Sequence, residues 1–236
     1  MAVKPAIISP KGDISMYFKR IFGLMFGAVA LTAVATYLTI VYDGLSLLYS
    51  PMTGFSPLYY VLLFGGLIFS IWAQVRAFKF KPSTGAWMLA IYSVLIGITI
   101  TPLIAVTLSI DSMSIIYAFG VAALMFGCMA MFGYKTIKDL SFLGIFLTMG
   151  MIGLILAGII WLIWPLGSGF SLAISLIGTL VFALFTAYDM QTLKQAYAVV
   201  DDETQKNQLA VLGALHLYIS FIAMFEYILS LFNNRN

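Results

Sequence analysis

Seven apolar runs, separated by short polar segments, occupy most of this 236-residue chain. They extend from about Ile21 to Val41, Leu58 to Phe78, Trp87 to Leu108, Ser114 to Tyr134, Leu140 to Trp164, Ser171 to Thr192 and Leu209 to Phe232. Each is about the 20 residues that a helix needs to cross the hydrocarbon of a bilayer. None shows the strict alternation of a barrel strand, and open sheet edges do not survive in lipid. The pattern therefore predicts an all-α integral membrane protein with seven transmembrane helices. Residues 21–232 form one transmembrane domain, preceded by a polar segment over 1–20 and followed by a short tail over 233–236.

The last run departs from the others because it carries His216, the single histidine, and Glu226. An ionisable side chain at the centre of a span costs a few kcal/mol unless it faces protein or water. At 3.6 residues per turn His216, Ser220 and Ala223 share a stripe, and Glu226 is rotated about 80° from it. A helix with ionisable groups on two faces belongs inside the bundle, which predicts a central C-terminal helix surrounded by six others.

Basic residues give the orientation. Lys4, Lys11, Lys19 and Arg20 precede the first run; Arg76, Lys79 and Lys81, then Lys135 and Lys138, then Lys194 and Lys206 lie in alternate connections. The opposite connections, Tyr42 to Pro57, Ser109 to Met113 and Pro165 to Phe170, contain no Lys or Arg, and only Arg235 falls on that side. The positive-inside rule then places the N-terminus in the cytoplasm and the C-terminus outside. No apolar stretch with a small-residue cleavage site precedes the first run, so a removable signal is not expected. With 62% hydrophobic and 9% charged residues, against about 25% charged in soluble domains, a water-soluble globule is excluded. The net charge of +3 reflects this topology and does not indicate nucleic acid binding. The short connections leave no room for an extramembrane domain. The acidic cluster Asp201, Asp202 and Glu203 reads as solvated surface.

Few ionisable groups remain near the hydrocarbon, and each is a candidate for an ion pathway: Arg76, Asp189, His216 and Glu226. Asp189 late in span six, His216 early in span seven and Arg76 at the end of span two fall at one depth. An Arg76–Asp189 pair there would close a path, and protonation of Asp189 would release the arginine. The competing readings are an Arg76 that snorkels to the headgroups, an Asp189 hydrated at a helix end, a His216 that packs through a hydrogen bond, and a Glu226 that faces outside water. Asp189 is also the one candidate for a weak calcium contact. No metal-protease motif, paired nucleophile and base, or phosphate-cradling loop is present, so neither an enzyme nor a cofactor is expected. Cys128 excludes an internal disulfide and reads as a small core residue. Gly23, Gly27, Gly65, Gly66, Gly97, Gly150, Gly153 and Gly178 are expected to permit close helix packing.

Several stretches carry a resemblance. They are Tyr92-Ser93-Val94-Leu95-Ile96-Gly97-Ile98-Thr99, Lys138-Asp139-Leu140-Ser141 with Met149 to Ala157, Thr186-Ala187-Tyr188-Asp189-Met190-Gln191, and Gly213 to Ile222. In order along the chain, they resemble the transmembrane Bax inhibitor motif family. The resemblance implies six helices around the last one and a pH-sensitive calcium leak. It implies control by two aspartates, in span six and the last helix, with an arginine of span two as latch. Asp189 matches the first aspartate and Arg76 stands where the latch is expected. Ser220 occupies the place of the second aspartate and cannot ionise, which leaves His216, one turn earlier, as a substitute proton sensor. The expected partners are calcium or another cation and the lipid bilayer. A different class remains open: a non-conducting protein that binds and restrains another membrane protein, such as a protease. A proton-coupled exporter of small solutes is a third. The compact connections suggest a bacterial cytoplasmic membrane.

Overall fold

A computed structural model of the chain describes residues 14–50, 52, 54–76, 79–164 and 167–234. Seven long helices are each apolar and extended enough to cross a membrane: α1 (Ile14–Val41), α3 (Pro57–Arg76), α4 (Pro82–Ile110), α5 (Met113–Lys135), α6 (Ser141–Ile163), α7 (Gly167–Val199) and α8 (Glu203–Asn233). A short helix α2 (Leu45–Leu48) and a two-stranded hairpin, β1 (Tyr49–Ser50) with β2 (Gly54–Phe55), fill the α1–α3 connection. That connection reads as a Ser-, Gly- and Pro-containing loop in the sequence. Its order comes from rings: Phe55 stacks on Tyr59 with centroids 4.4 Å apart, and Tyr49 meets Phe55 edge-on at 5.3 Å.

The helices outrun the apolar segments at the end of the bundle that holds the lysines, referred to below as the basic end. α1 already includes Lys19 and Arg20, so the polar segment expected over residues 1–20 is helical from Ile14 onward. Lys4, Lys11 and Asp13 lie outside the described residues, as does Arg235. α7 continues past Thr192 to Val199, and α8 begins at Glu203, where the Asp202 side chain accepts the Gln205 N–H at 3.1 Å as an N-cap. Glu203 pairs with Lys206 at 2.9 Å, so the acidic cluster starts a helix. Between α5 and α6, the Asp139 carboxylate accepts both the N–H and the hydroxyl of Ser141, which holds it below the usual carboxylate range.

Of the seven long helices α8 has the largest buried share and α6 the smallest. Leu217, Met224 and Leu229 of α8 are fully enclosed. α8 packs against α1, α4, α5 and α7, while α3 packs on α4 and α6 on α7. The C-terminal helix is central, but its close shell consists of four helices, with α3 and α6 flanking. This arrangement follows from the apolarity of α6, which lipid can solvate on nearly every side.

Small residues set the helix spacing, at positions only partly those expected. A Cβ on Gly97 would lie 2.6 Å from the Thr32 carbonyl of α1, and one on Gly178 would lie 2.5 Å from the Tyr227 ring of α8. Gly150 meets Val181 at 3.3 Å. Gly23, Gly27, Gly65, Gly66 and Gly153 face open space and pack nothing closely. Gly133 of α5 is the tightest contact, because a Cβ there would penetrate the backbone carbonyl of Ala187 in α7. Cys128 lies exposed on the outer face of α5, not in the core, because Ala118, Ala122, Phe126 and Ala130 form that helix's inner stripe.

Two substitutions separate these cases. Gly133→Ala is expected to destabilise the bundle by about 1–3 kcal/mol through overpacking against rigid backbone. Gly153→Ala is expected to be neutral or to stabilise by up to about 1 kcal/mol through helix propensity. Thermal unfolding of the purified protein in detergent checks both.

Candidate functional site

The segment Thr186-Ala187-Tyr188-Asp189-Met190-Gln191 of α7 turns five different faces to its neighbours. The Thr186 hydroxyl returns to the Phe182 carbonyl at 3.0 Å, which spares a fully buried oxygen. Ala187 presents its backbone to Gly133, and Tyr188 fills the space above Gly144. Met190 enters the core. The Gln191 amide bridges to the α5–α6 connection, accepting from the Leu140 N–H and donating to the Lys138 carbonyl, both at 2.8 Å. Three residues on, Lys194 donates to the Tyr134 carbonyl at 2.8 Å and sits 5.0 Å from that ring.

Asp189 points between α7 and α8. It is 8% exposed, and its Oδ1 lies 3.8 Å from Nδ1 of His216. The other ring nitrogen, Nε2, lies 3.0 Å from Oε1 of Gln74 in α3. Three helices thus converge on one imidazole. An amide oxygen only accepts, so Nε2 carries a hydrogen and donates to Gln74. A neutral ring would then turn the Nδ1 lone pair toward the carboxylate. The contact is favourable when one proton is held between the two groups, as imidazolium–carboxylate or as imidazole–carboxylic acid. Among the described residues no Lys or Arg neutralises Asp189.

Arg76 does not make the pairing expected of it. It is exposed at the last turn of α3, and His216 occupies the position beside Asp189. Gln74, two residues earlier, is on the inward face of α3 and Arg76 is turned away from it. Gln74 and Gln191 escape a search for ionisable groups. Ser70 and Gln74, four residues apart in an apolar run, mark the inward polar stripe of α3. Gln191 lies within the resembling hexapeptide, but only the structure connects it to a loop 51 residues away.

Ser220 is buried, 3% exposed, one turn from His216. Around it Leu217, Tyr218, Phe221 and Met224 pack the middle of α8. The Tyr218 hydroxyl meets Thr32 Oγ1 of α1 at 2.6 Å, and Thr32 also donates toward the Ala28 and Ser93 carbonyls. This plug separates the His216 level from Glu226, about 15 Å further along the helix at 1.5 Å per residue. Glu226 does not join the cluster. It lines a cavity of about 670 Å³ that reaches the opposite end of the bundle, beneath α2 and the hairpin. Among the described residues no three His, Cys, Asp or Glu side chains lie together in a way that would hold a metal ion.

A bundle of seven long apolar helices, with a buried carboxylate beside a half-buried imidazole, defines a multi-pass α-helical membrane protein. The family described as "Inhibitor of apoptosis-promoting Bax1" matches residues 14–236, and the chain belongs to it. Similar proteins include the inner membrane protein YbhL of Escherichia coli K12, 33% identical over 233 residues, which cover 98% of this chain and 96% of that one. An uncharacterised protein of Borreliella burgdorferi is 30% identical over 93% of this chain and 92% of its own. An uncharacterised membrane protein of Streptococcus pyogenes serotype M1 is 30% identical over 98% of both.

The Gln191 bridge gives a local test. Gln191→Leu leaves a buried Leu140 N–H without its acceptor and is expected to cost about 1–3 kcal/mol. Faster amide exchange at the start of α6, with the rest of α7 unchanged, is the expected readout.

Proposed function

We propose that this protein is a pH-sensitive leak pathway for calcium or another cation, gated at the basic end by the Asp189–His216 pair. The observation that carries the reading is the contact of the buried Asp189 carboxylate with the half-buried His216 ring, with Gln74 fixing the ring from a third helix. Asp189 is the pathway acid, and calcium is cargo: one carboxylate supplies too few of the 6–8 oxygens a resident calcium takes. His216 stands in for the carboxylate that Ser220 cannot provide, and Arg76 is left at the surface. Given the sorting of Lys and Arg, the basic end faces the cytoplasm, with the N-terminus inside and the C-terminus outside. The name of the Escherichia coli relative, an inner membrane protein, supports a cytoplasmic membrane location.

The sign of the pH response follows from counting protons on the pair. With one proton the groups attract and clasp α7 to α8. A second proton neutralises Asp189, removes the attraction and releases the clasp, so flux rises as pH falls. Loss of the shared proton sets two lone pairs against each other and frees a bare carboxylate, so flux rises again on the alkaline side.

The packed mid-section around Ser220 and Tyr218 favours one other reading, a non-conducting protein that binds and modulates another membrane protein. Calcium flux into liposomes decides between the two. The wild type is expected to show a minimum of flux at intermediate pH. Asp189→Asn and His216→Ala are each expected to flatten the profile to within about two-fold across pH 5 to 8, because either removes one titrating member. Arg76→Ala is expected to leave its shape unchanged. No flux above empty liposomes at any pH would overturn the leak reading in favour of the regulatory one. Orientation is checked separately: a reporter active only outside the cytoplasm is expected to work when fused after Asn236 and to fail when fused before Met1.

A further inference from the structure

We propose that the cavity around Glu226 is a binding site for a lipophilic organic cation, an ammonium or phosphonium group carried on an apolar body. The site is separate from the Asp189–His216 pair and does not depend on that pair conducting ions.

Three observations converge. The first is size: about 670 Å³ lies within the roughly 300–1,000 Å³ typical of small-molecule pockets. The second is charge. Glu226 is the only Asp, Glu, His, Lys or Arg among the described lining residues, and neither ion pair found among the described residues includes it. The neighbouring connections at this end bring Asp43 and Asp111 and no lysine or arginine, and the one basic residue the sequence puts on this side, Arg235, lies outside the described residues. Glu226 is half-buried, and a carboxylate partly withdrawn from water without a counter-charge is stabilised by a cationic ligand.

The third is the chemistry of the walls. Tyr49, Phe55, Tyr59, Trp161 and Tyr227 line the cavity together with Glu226. Tyr59 and Tyr227 are within electrostatic reach of the carboxyl group. Aromatic faces around a carboxylate recognise alkylated ammonium groups, which bind through cation–π attraction and shed water readily. A divalent metal ion would demand several oxygens at short range, mostly carboxylate. Here Glu226 is the one carboxylate of the lining, the other side-chain oxygens are hydroxyls of Ser and Tyr, and among the described residues no three His, Cys, Asp or Glu side chains come together. The apolar walls, with Leu103, Val106 and Leu154, suit the body of an amphiphilic cation. The hairpin supplies two of the rings, Tyr49 and Phe55, so the α1–α3 connection forms part of the site.

Equilibrium binding of radiolabelled tetraphenylphosphonium to the purified full-length protein in detergent tests this. Saturable binding is expected, weakened by at least about ten-fold in Glu226→Gln, which is about 1.4 kcal/mol or more. Glu226→Asp is expected to retain most of the affinity, and Phe55→Ala to weaken it several-fold. Asp189→Asn is expected to bind as the wild type does, which keeps this site distinguishable from the proposed gate. Uncharged tetraphenylmethane is expected not to compete. Absence of saturable binding, equal affinity in Glu226→Gln, unchanged affinity in Phe55→Ala, equal competition by tetraphenylmethane, or loss of binding in Asp189→Asn would each overturn the proposal. Circular dichroism and size exclusion of every variant separate lost binding from lost folding.

Discussion

The requirement that the rest of the structure meets is the enclosure of α8. A span with an imidazole on one face and a carboxylate on another cannot lie against lipid, where each would cost several kcal/mol. Four helices close around it; α6, the most apolar of the seven, is left outside, and α3 touches α8 through Gln74. Close approach is then obtained with glycine and alanine backbones, most tightly where Gly133 meets Ala187. Without a solvent-driven hydrophobic force between helices in lipid, such contacts and the buried hydroxyl bonds carry the packing energy. Thr32 and Thr36 of α1, donating to the Ser93 and Gly97 carbonyls of α4, are of this kind.

The two halves of α8 have different environments because of this packing. At the basic end His216 finds fixed polar partners on α3 and α7. At the other end Glu226 faces a wide cavity whose walls are rings and aliphatic side chains. The plug around Tyr218 and Ser220 keeps the two apart. The chemistries proposed for them differ accordingly, a shared proton at one level and an organic cation at the other.

Much of the architecture was legible in the sequence. Seven apolar runs gave seven helices, and His216 with Glu226 gave the central position of the last, since both inferences rest on solvation in lipid. Helix ends were less legible: α7 and α8 extend well beyond hydrocarbon thickness, and polar residues such as Lys194 and Lys206 are no obstacle to a helix outside it. The partner of Asp189 is not legible, because charge alone favours Arg76, whereas α3 turns Gln74 inward toward His216 and leaves Arg76 exposed. Glycines were overread for a related reason. Gly23 and Gly153 belong to small-residue patterns, but which face a helix buries depends on neighbours that the pattern does not name. The hairpin was not legible, since two-residue strands carry no periodicity and are held by Phe55 and Tyr59 rings.

Asp189 and Gln191 are two residues apart on α7, about 200° around the helix. One grips α8 and the other grips the α5–α6 connection from the opposite side. Any twist of α7 that draws Asp189 from His216 therefore applies a torque to the connection through two hydrogen bonds. The α5–α6 connection is thus tied, through Gln191 and a short stretch of α7, to the Asp189–His216 contact on the other side of that helix.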